Sequence, residues 1–326
     1  MRVLTGIQPT NILHLGNLFG ALKPAVEMQT EHNLFMMIAD YHAITVPQKP
    51  ETLRENILFV AAAYLAAGID PKKTIIFQQS QVPAHTELGW VIQTQTRIGE
   101  AERMTQFKDK SDGKSEKVSV GLFTYPMLMA ADILLYDTQA VPVGADQKQH
   151  VELTRDIAER FNRDFGQTFT IPEPLIRAHG ARIKSLSEPE KKMSKSSPNA
   201  KSYLSIMDSE DVIVKKIRSA VTDSEVGITV DDRREGLKNL LTLMSLVTGE
   251  TLPEIALRYN NSGMKSLKDD LAEATVVYLK PLQAGIRGWL ENQTELKEII
   301  KIGSAAASDI ANSKMAQVRE KIGVKI

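Results

Sequence analysis

Up to about residue 185, short apolar runs alternate with longer helical patterns, and this limits the fold more than any other feature of the chain. Arg2 to Ile7, Leu34 to Ala39, Thr74 to Gln78 and Ala140 to Val143 read as strands. Between them, Glu51 to Ala67 places Leu53, Ile57, Leu58, Val60 and Ala61 at helical spacing, and Gly68 supplies a stop. Strand and helix in alternation imply a parallel sheet covered on both faces, with ligands beyond the carboxyl ends of its strands. From about Asp208 the strand signal fades, and Val212 to Val221, Gly236 to Thr248, Leu267 to Leu290 and Ser304 to Ile322 read as helices. The expected fold is therefore α/β: a Rossmann-like parallel-sheet domain with a smaller all-helical C-terminal domain. The Ser-, Lys- and Pro-rich stretch Ser185 to Lys201 is too polar to pack a core, which places the boundary there.

Composition removes several chemistries. The chain has no cysteine, so disulfides, thiolate zinc sites and iron–sulfur clusters are excluded, and a reducing cytoplasm is the expected setting. Its six histidines show no metal-ligand spacing such as HExxH, so no protein-ligated metal is expected. The start, MRVLTGIQPT, lacks the apolar core of a secretory signal, and no run approaches bilayer-spanning length. Neither secretion nor a membrane partner is expected. Basic and acidic residues balance at 40 each over the whole chain, and at 18 each over residues 201–326, so charge alone points to no polyanion.

Two stretches have the make-up of phosphate-handling turns. In Pro9-Thr10-Asn11-Ile12-Leu13-His14-Leu15-Gly16-Asn17 a strand gives way to a helix, whose first backbone N–H groups and positive dipole suit a phosphate. Taken alone this is weak, because strand, turn and glycine-opened helix recur in many α/β domains, and a lone His14 fits a satisfied turn histidine better than a ligand contact. Lys191-Lys192-Met193-Ser194-Lys195-Ser196 sets lysines around a small hydroxyl on a loop. Such ammonium groups can meet the charge that builds on departing pyrophosphate more tightly than they meet resting ATP. A random lysine-rich run would read as a solvated linker; the particular string favours the functional reading.

His14-Leu15-Gly16-Asn17 after a strand, with Lys192 to Ser196 downstream of the same sheet, resembles the paired HIGH and KMSKS motifs of class I aminoacyl-tRNA synthetases. GIQPT, ADYHAIT, GEAERMTQFKDK, TYPMLMAADILLY, VPVGADQKQHVELTRDIAERFN and KIRSAVTDSE are similar to the bacterial tryptophanyl branch of that family over essentially the whole chain. Asn17 replaces the second histidine of HIGH, a departure common in that branch.

The resemblance implies activation of L-tryptophan by ATP to an adenylate, with Mg2+ on the phosphates, followed by transfer to tRNA(Trp) in a cytoplasmic homodimer. It implies residues 1–186 as the ATP- and tryptophan-binding domain, 187–205 as the KMSKS loop and linker, and 206–326 as a helical domain for the anticodon, its last helix able to pack back on the first domain. Gln8, Pro9, Thr10, Gly16 and Asn17 would hold ATP, with His14 near the phosphates and Lys110 as a further phosphate contact. Gly144, Ala145 and Asp146 would meet ribose and adenosine, Ile183 would pack near adenine, and Lys192, Met193, Ser194, Lys195 and Ser196 would close over the triphosphate. His14, Lys192 and Lys195 are the expected catalytic set.

Asp132 is the expected reader of the amino acid. On a helix, Met129, Asp132 and Tyr136 share a face, so a carboxylate lies among apolar residues and needs a donor. An indole offers one N–H and no acceptor, and an ionised carboxylate only accepts. Without the resemblance, a helix cap or an arginine partner would explain Asp132 equally simply. Tyr125, Met129, Val141 and Val143 would surround the indole and Gln147 its polar end, although each also fits plain core packing. His42 divides evenly between ligand contact and structural hydrogen bonding, Trp90 and Trp289 read as packing residues, and His85 and His150 have no readable partner.

Three other readings stand beside this one. A tyrosyl-tRNA synthetase shares fold and motifs, but must both donate to and accept from a phenol. A non-catalytic tryptophan- or RNA-binding paralogue would tolerate loss of Lys192 or Lys195, and both are present. A nucleotidyltransferase with a related turn would not need the long helical tail.

Overall fold

In a computed structural model, which describes residues 1–326 except 11, 105–118, 145–146, 176–182, 195–196, 198 and 326, five strands form one parallel sheet. They are β1 (Arg2–Ile7), β2 (Asn33–Ile38), β3 (Ile75–Gln78), β4 (Ala140–Pro142) and β5 (Glu173–Leu175), in the order β3-β2-β1-β4-β5. β1 and β2 are in register from Arg2 opposite Asn33 to Ile7 opposite Ile38. Four strands match the sequence expectation to within a residue or so. β5 gives no such signal, because three residues centred on Pro174 have neither length nor alternation.

Side chains alternate between two cores. Val3, Leu34, Met36, Ile38, Ile76 and Ala140 face one; Leu4, Phe35, Met37, Phe77 and Val141 face the other. The second is covered by the helices Ala84–Gln95, Val120–Leu134 and Lys148–Phe165. The first is covered by the helix Pro50–Ala67, which ends where Gly68 turns left-handed at φ 110°, and by residues of the C-terminal helices. Leu240, Leu271, Leu279 and Ile286 thus belong to the same apolar cluster as Val3 and Leu34, so the core runs on from the sheet into the helical region.

That region contains Glu210–Arg218, Glu235–Thr248, Leu252–Tyr259, Gly263–Glu291 and Gln293–Lys321. The third has no counterpart in the sequence reading, although Thr251 and Glu254 form a capping box at its start. The last begins eleven residues before the expected Ser304 and lies along the open edge of β3. There the Ser304 hydroxyl accepts from the Gln78 amide at 3.2 Å. A Cβ on Gly303 would come within 1.9 Å of the Ile76 carbonyl oxygen, so only glycine permits this approach. The helix covers an edge strand that would otherwise present unpaired backbone groups.

Two side chains tie down the carboxyl ends of the strands. Tyr64, wholly buried, accepts from the Ile7 amide and donates to the Met37 carbonyl, each at 2.9 Å, spanning the ends of β1 and β2. Asp40, just beyond β2, accepts from the Ser80 amide at 3.0 Å, from Gln78 Nε2 at 2.7 Å and from the Ser80 hydroxyl, fastening the turn after β3. Among the described residues no single helix is long and apolar enough to cross a membrane.

Candidate active site

The order of strands reverses direction between β1 and β4, and a crevice opens at such a point beyond the carboxyl ends. The chain leaves β1 through a turn in which the Thr10 amide donates to the Gln8 carbonyl at 2.8 Å, above a buried Pro9. A helical run follows from Leu15, and Asn17 caps it by accepting the His14 amide at 3.1 Å. The residue that replaces the motif's second histidine therefore holds the helix start. The imidazole of His14 folds over Gly16: a Cβ there would lie 2.7 Å from His14 Cε1. A side chain at position 16 would therefore push the His14 ring out of this position.

Residues 13–15 form an antiparallel strip with 204–206. Leu15 donates its amide to the Leu204 carbonyl and Ile206 donates to Leu13, both at 2.9 Å, with His14 opposite Ser205. The segment that follows the lysine loop is therefore bonded to the first motif. The loop itself returns on a short hairpin, with Lys184 opposite Lys192 and the Met193 amide donating to the Ile183 carbonyl at 3.0 Å. Ile183, Leu186 and Met193 are buried in the core, so the stretch expected to be too polar to pack contributes two apolar anchors, Leu186 and Met193, with Ile183 just before it. Lys192 and Ser194 stand exposed on either side of the buried Met193, an alternation of a β type that the composition of the stretch concealed. Lys195 and Ser196 lie outside the described residues, as do Lys110, Ala145 and Asp146.

Asp132 lies on the helix Val120–Leu134 and is 1% exposed. Neither a cap nor an arginine accounts for it. His42 Nε2 is 2.7 Å from Oδ2, His85 Nδ1 is 2.6 Å from Oδ1, and Gln79 Nε2 donates to both oxygens at 2.9 and 3.0 Å. Burial pushes the carboxyl upward, but the imidazoles of His42 and His85, through charge and hydrogen bonds, outweigh it and hold Asp132 far below the usual carboxylate range. The group stays ionised, and therefore purely an acceptor. Taking it out of water costs several kcal/mol, which donors worth about 1.5–3 kcal/mol each offset.

Three separate elements supply those donors. His42 comes from the short helix Asp40–Ala43 after β2, Gln79 from the 3-10 turn after β3, and His85 from the first turn of Ala84–Gln95. His85 Nε2 meets the Tyr136 hydroxyl at 2.7 Å. The helix ends at Leu134, so Tyr136 reaches the cluster from the following turn and not from the same helical face as Met129 and Asp132. Tyr125 stands edge-on to His42, ring centroids 6.2 Å apart, and its hydroxyl is 2.8 Å from His150 Nε2. Sequence reasoning named Asp132, His42 and Tyr125 and missed Gln79, His85 and His150, whose partners lie 25 to 53 residues away in the chain.

The remaining expected positions are placed less tellingly. Val141 is in the core, Met129 and Val143 are half-buried against it, and Ile183 is buried beside Met193. Gly144 is exposed beyond β4, and its carbonyl accepts from the Gln147 amide at 2.9 Å. Trp289 packs against the core as expected, but Trp90 is 68% exposed and is not a packing residue within one chain. The sequence of its helix does not reveal which face lacks a covering layer. No described group of three or more His, Asp or Glu side chains is placed to hold a metal.

The β3-β2-β1-β4-β5 order, with a capped helix start at the switch point and a lysine loop bonded to it, defines a Rossmann-type nucleotide-binding domain carrying a helical extension. The chain belongs to the class I tRNA synthetases of the W and Y type, a family that matches residues 1–280. It is 49% identical over 321 residues to the tryptophan–tRNA ligase of Clostridium tetani, covering 98% of this chain and 95% of that protein. The tryptophanyl-tRNA synthetase of Campylobacter jejuni, solved with ADP and tryptophan, superposes with a TM-score of 0.85 at 41% identity, over 99% of this chain and all of that one. The Mycoplasma pneumoniae enzyme gives a TM-score of 0.89 at 36% identity, covering 99% and 97% of the two chains.

Proposed function

We infer that this chain ligates tryptophan to tRNA(Trp): it joins L-tryptophan and ATP into tryptophanyl-adenylate and pyrophosphate, then passes the tryptophanyl group to the 3′ end of the tRNA. The observation that carries this is near-half identity, over essentially the full length, to a tryptophan–tRNA ligase. The tryptophan carboxylate attacks the α-phosphorus, so no side chain need act as a covalent nucleophile; positioning and charge stabilisation do the work.

His14, Gly16 and Asn17 receive the triphosphate at the helix start, together with Gln8, Pro9 and Thr10 from the turn before it. Gly144, Ala145 and Asp146 take the ribose and adenosine, Lys110 a phosphate, and Lys192, Ser194, Lys195 and Ser196 meet the departing pyrophosphate. Ile183 and Met193 hold the base of that loop, supported by their burial and mutual hydrogen bond. Mg2+ is assigned to the ATP phosphates. Asp132 accepts the indole N–H, with His42, Tyr125, Met129, Val141 and Val143 around the ring and Gln147 at the amino acid's polar end. Three side chains make four hydrogen bonds to Asp132, about as many as a carboxylate accepts, so the indole N–H takes a position that the Gln79 amide, now spanning both oxygens, gives up. Phenylalanine would leave that position empty.

The functional division follows the chain: residues 1–186 bind ATP and tryptophan, 187–205 form the KMSKS loop and linker, and 206–326 read the anticodon in a cytoplasmic enzyme. Purified protein is expected to show tryptophan-dependent ATP–pyrophosphate exchange without tRNA. Exchange with tyrosine and none with tryptophan, in a panel of all twenty amino acids, would overturn the assignment.

The working unit is a homodimer. Trp90, Ile98 and Val120 are all more than two-thirds exposed on packed helices, and the Ser119 hydroxyl donates to the Thr45 carbonyl at 3.2 Å, bringing exposed Ile44 and Val46 beside them. A patch of this kind marks a protein interface. Equilibrium sedimentation is expected to give twice the chain mass, and Trp90→Glu to shift it toward the monomer; a monomeric parent protein would remove the dimer.

A further inference from the structure

His85 is completely enclosed and both its ring nitrogens are engaged, one on Asp132 and the other on Tyr136. His42 reaches the same carboxylate from the short helix Asp40–Ala43 beyond β2, edge-on to the Tyr125 ring. An ionised carboxylate only accepts, so His85 Nδ1 carries the hydrogen in that contact. Burial, reinforced by the charge of Asp132, raises the Tyr136 phenol and keeps it protonated, and its hydroxyl is hydrogen-bonded to His85 Nε2 at 2.7 Å. A hydrogen-bonded chain thus runs from Tyr136 through the imidazole to Asp132 Oδ1, with Nδ1–H as the donor to the carboxylate.

The plane of that imidazole is mechanically held. Phe77 of β3 stacks on it, with ring centroids 5.8 Å apart and planes 21° apart, and Tyr136 lies tilted at 5.5 Å. Phe77 and Tyr136 are themselves fully buried and packed on each other at 5.4 Å. A carboxylate attached to its own helix rotates broadly about its last side-chain bond. Here a donor of fixed direction on Oδ1 and the Gln79 amide across both oxygens remove that freedom.

We propose that His85, braced by Tyr136 and Phe77 and assisted by Gln79, is the positioning residue that fixes the Asp132 carboxylate, and so determines selection for an amino acid bearing a ring N–H. This rests on the reading of Asp132 as the indole acceptor. His85 acts only through Asp132, so its loss should damage recognition of the N–H and leave the ATP side intact. A general structural role would instead weaken both.

The test compares tryptophan with 3-(3-benzothienyl)alanine, an isostere in which sulfur replaces the indole N–H, in ATP–pyrophosphate exchange. The parent enzyme must first exchange with tryptophan; failure there refutes the activity and not this inference. In His85→Leu, the KM for tryptophan is expected to rise ~10- to 100-fold, the range of a charge-assisted hydrogen bond, while the KM values for ATP and for the isostere change by less than about twofold. Preference for tryptophan over the isostere then falls by the same ~10- to 100-fold. His85→Asn, whose amide can replace Nδ1–H toward Asp132, is expected to recover most of that preference, and Tyr136→Phe to lose several-fold. An unchanged preference in His85→Leu, or equal rises in KM for ATP and tryptophan, would overturn the proposal. If His85→Leu does not fold, as judged by thermal unfolding, the other two variants decide: preference falling in Tyr136→Phe and largely retained in His85→Asn supports it, and any other pattern overturns it.

Discussion

Asp132→Ala is expected to lower kcat/KM for tryptophan by about 3–4 kcal/mol, on the order of a few hundredfold, while ATP affinity stays within about threefold of the parent. Two losses add in this variant. The indole N–H loses its ionised acceptor, and the donors of His42, Gln79 and His85 are left facing one another around an empty volume. Buried donors without partners cost about 1–3 kcal/mol each, so the variant should also melt several degrees lower. Asp132→Asn should not rescue selection, because its amide presents hydrogens to groups that themselves donate. The decisive measurement is the ratio of kcat/KM for tryptophan to that for phenylalanine. An unchanged ratio in a folded Asp132→Ala protein would mean that the indole is read elsewhere and that the buried carboxylate serves only to knit β2, β3 and the Val120–Leu134 helix.

Lys195→Ala is expected to slow adenylate formation by about 10²–10³-fold, the usual cost of one donor to transition-state charge, with a change in ATP affinity of less than about tenfold. Lys192→Ala should behave alike. Lys192 pairs with Lys184 in the hairpin and immediately precedes the buried Met193, so its backbone is anchored while its side chain is exposed. The loop is tied again where Leu204 and Ile206 bond to the strip around His14. A segment fixed at both ends, with polar groups between, can close on a triphosphate without disturbing the core. Single-turnover rates measured against ATP concentration separate affinity from rate. Equal losses in both would show that the lysines bind ATP uniformly rather than following the charge on the leaving pyrophosphate.

These two sites were legible in the sequence to different depths. The His14 and Lys192 motifs stand as contiguous strings and were expected to meet on one ATP, but the backbone contact that ties their segments together was not readable. It depends on residues 204–206 pairing with 13–15, a contact between segments about 190 residues apart that no local pattern encodes. Asp132 could be singled out because a carboxylate in an apolar helix needs a reason to be there. Its partners could not: a glutamine after one strand and a histidine in a neighbouring helix look like any other polar residues until the fold brings them within 3 Å. Trp90 shows the opposite failure, since helical spacing cannot say which apolar side chain will lack a neighbour.

The sequence by itself determined the parallel α/β architecture, the helical second half, the ATP motifs and the family. Periodicity and short strings are local, and they survive being read one segment at a time. Only the tertiary structure decided that the core runs unbroken from β1 into the C-terminal helices, that Gly303 and Ser304 close the edge of β3, and that Asp132 is held ionised by His42, Gln79 and His85. Each of these depends on the balance between burying a polar group and supplying it with a partner. That balance is settled by which distant segments meet.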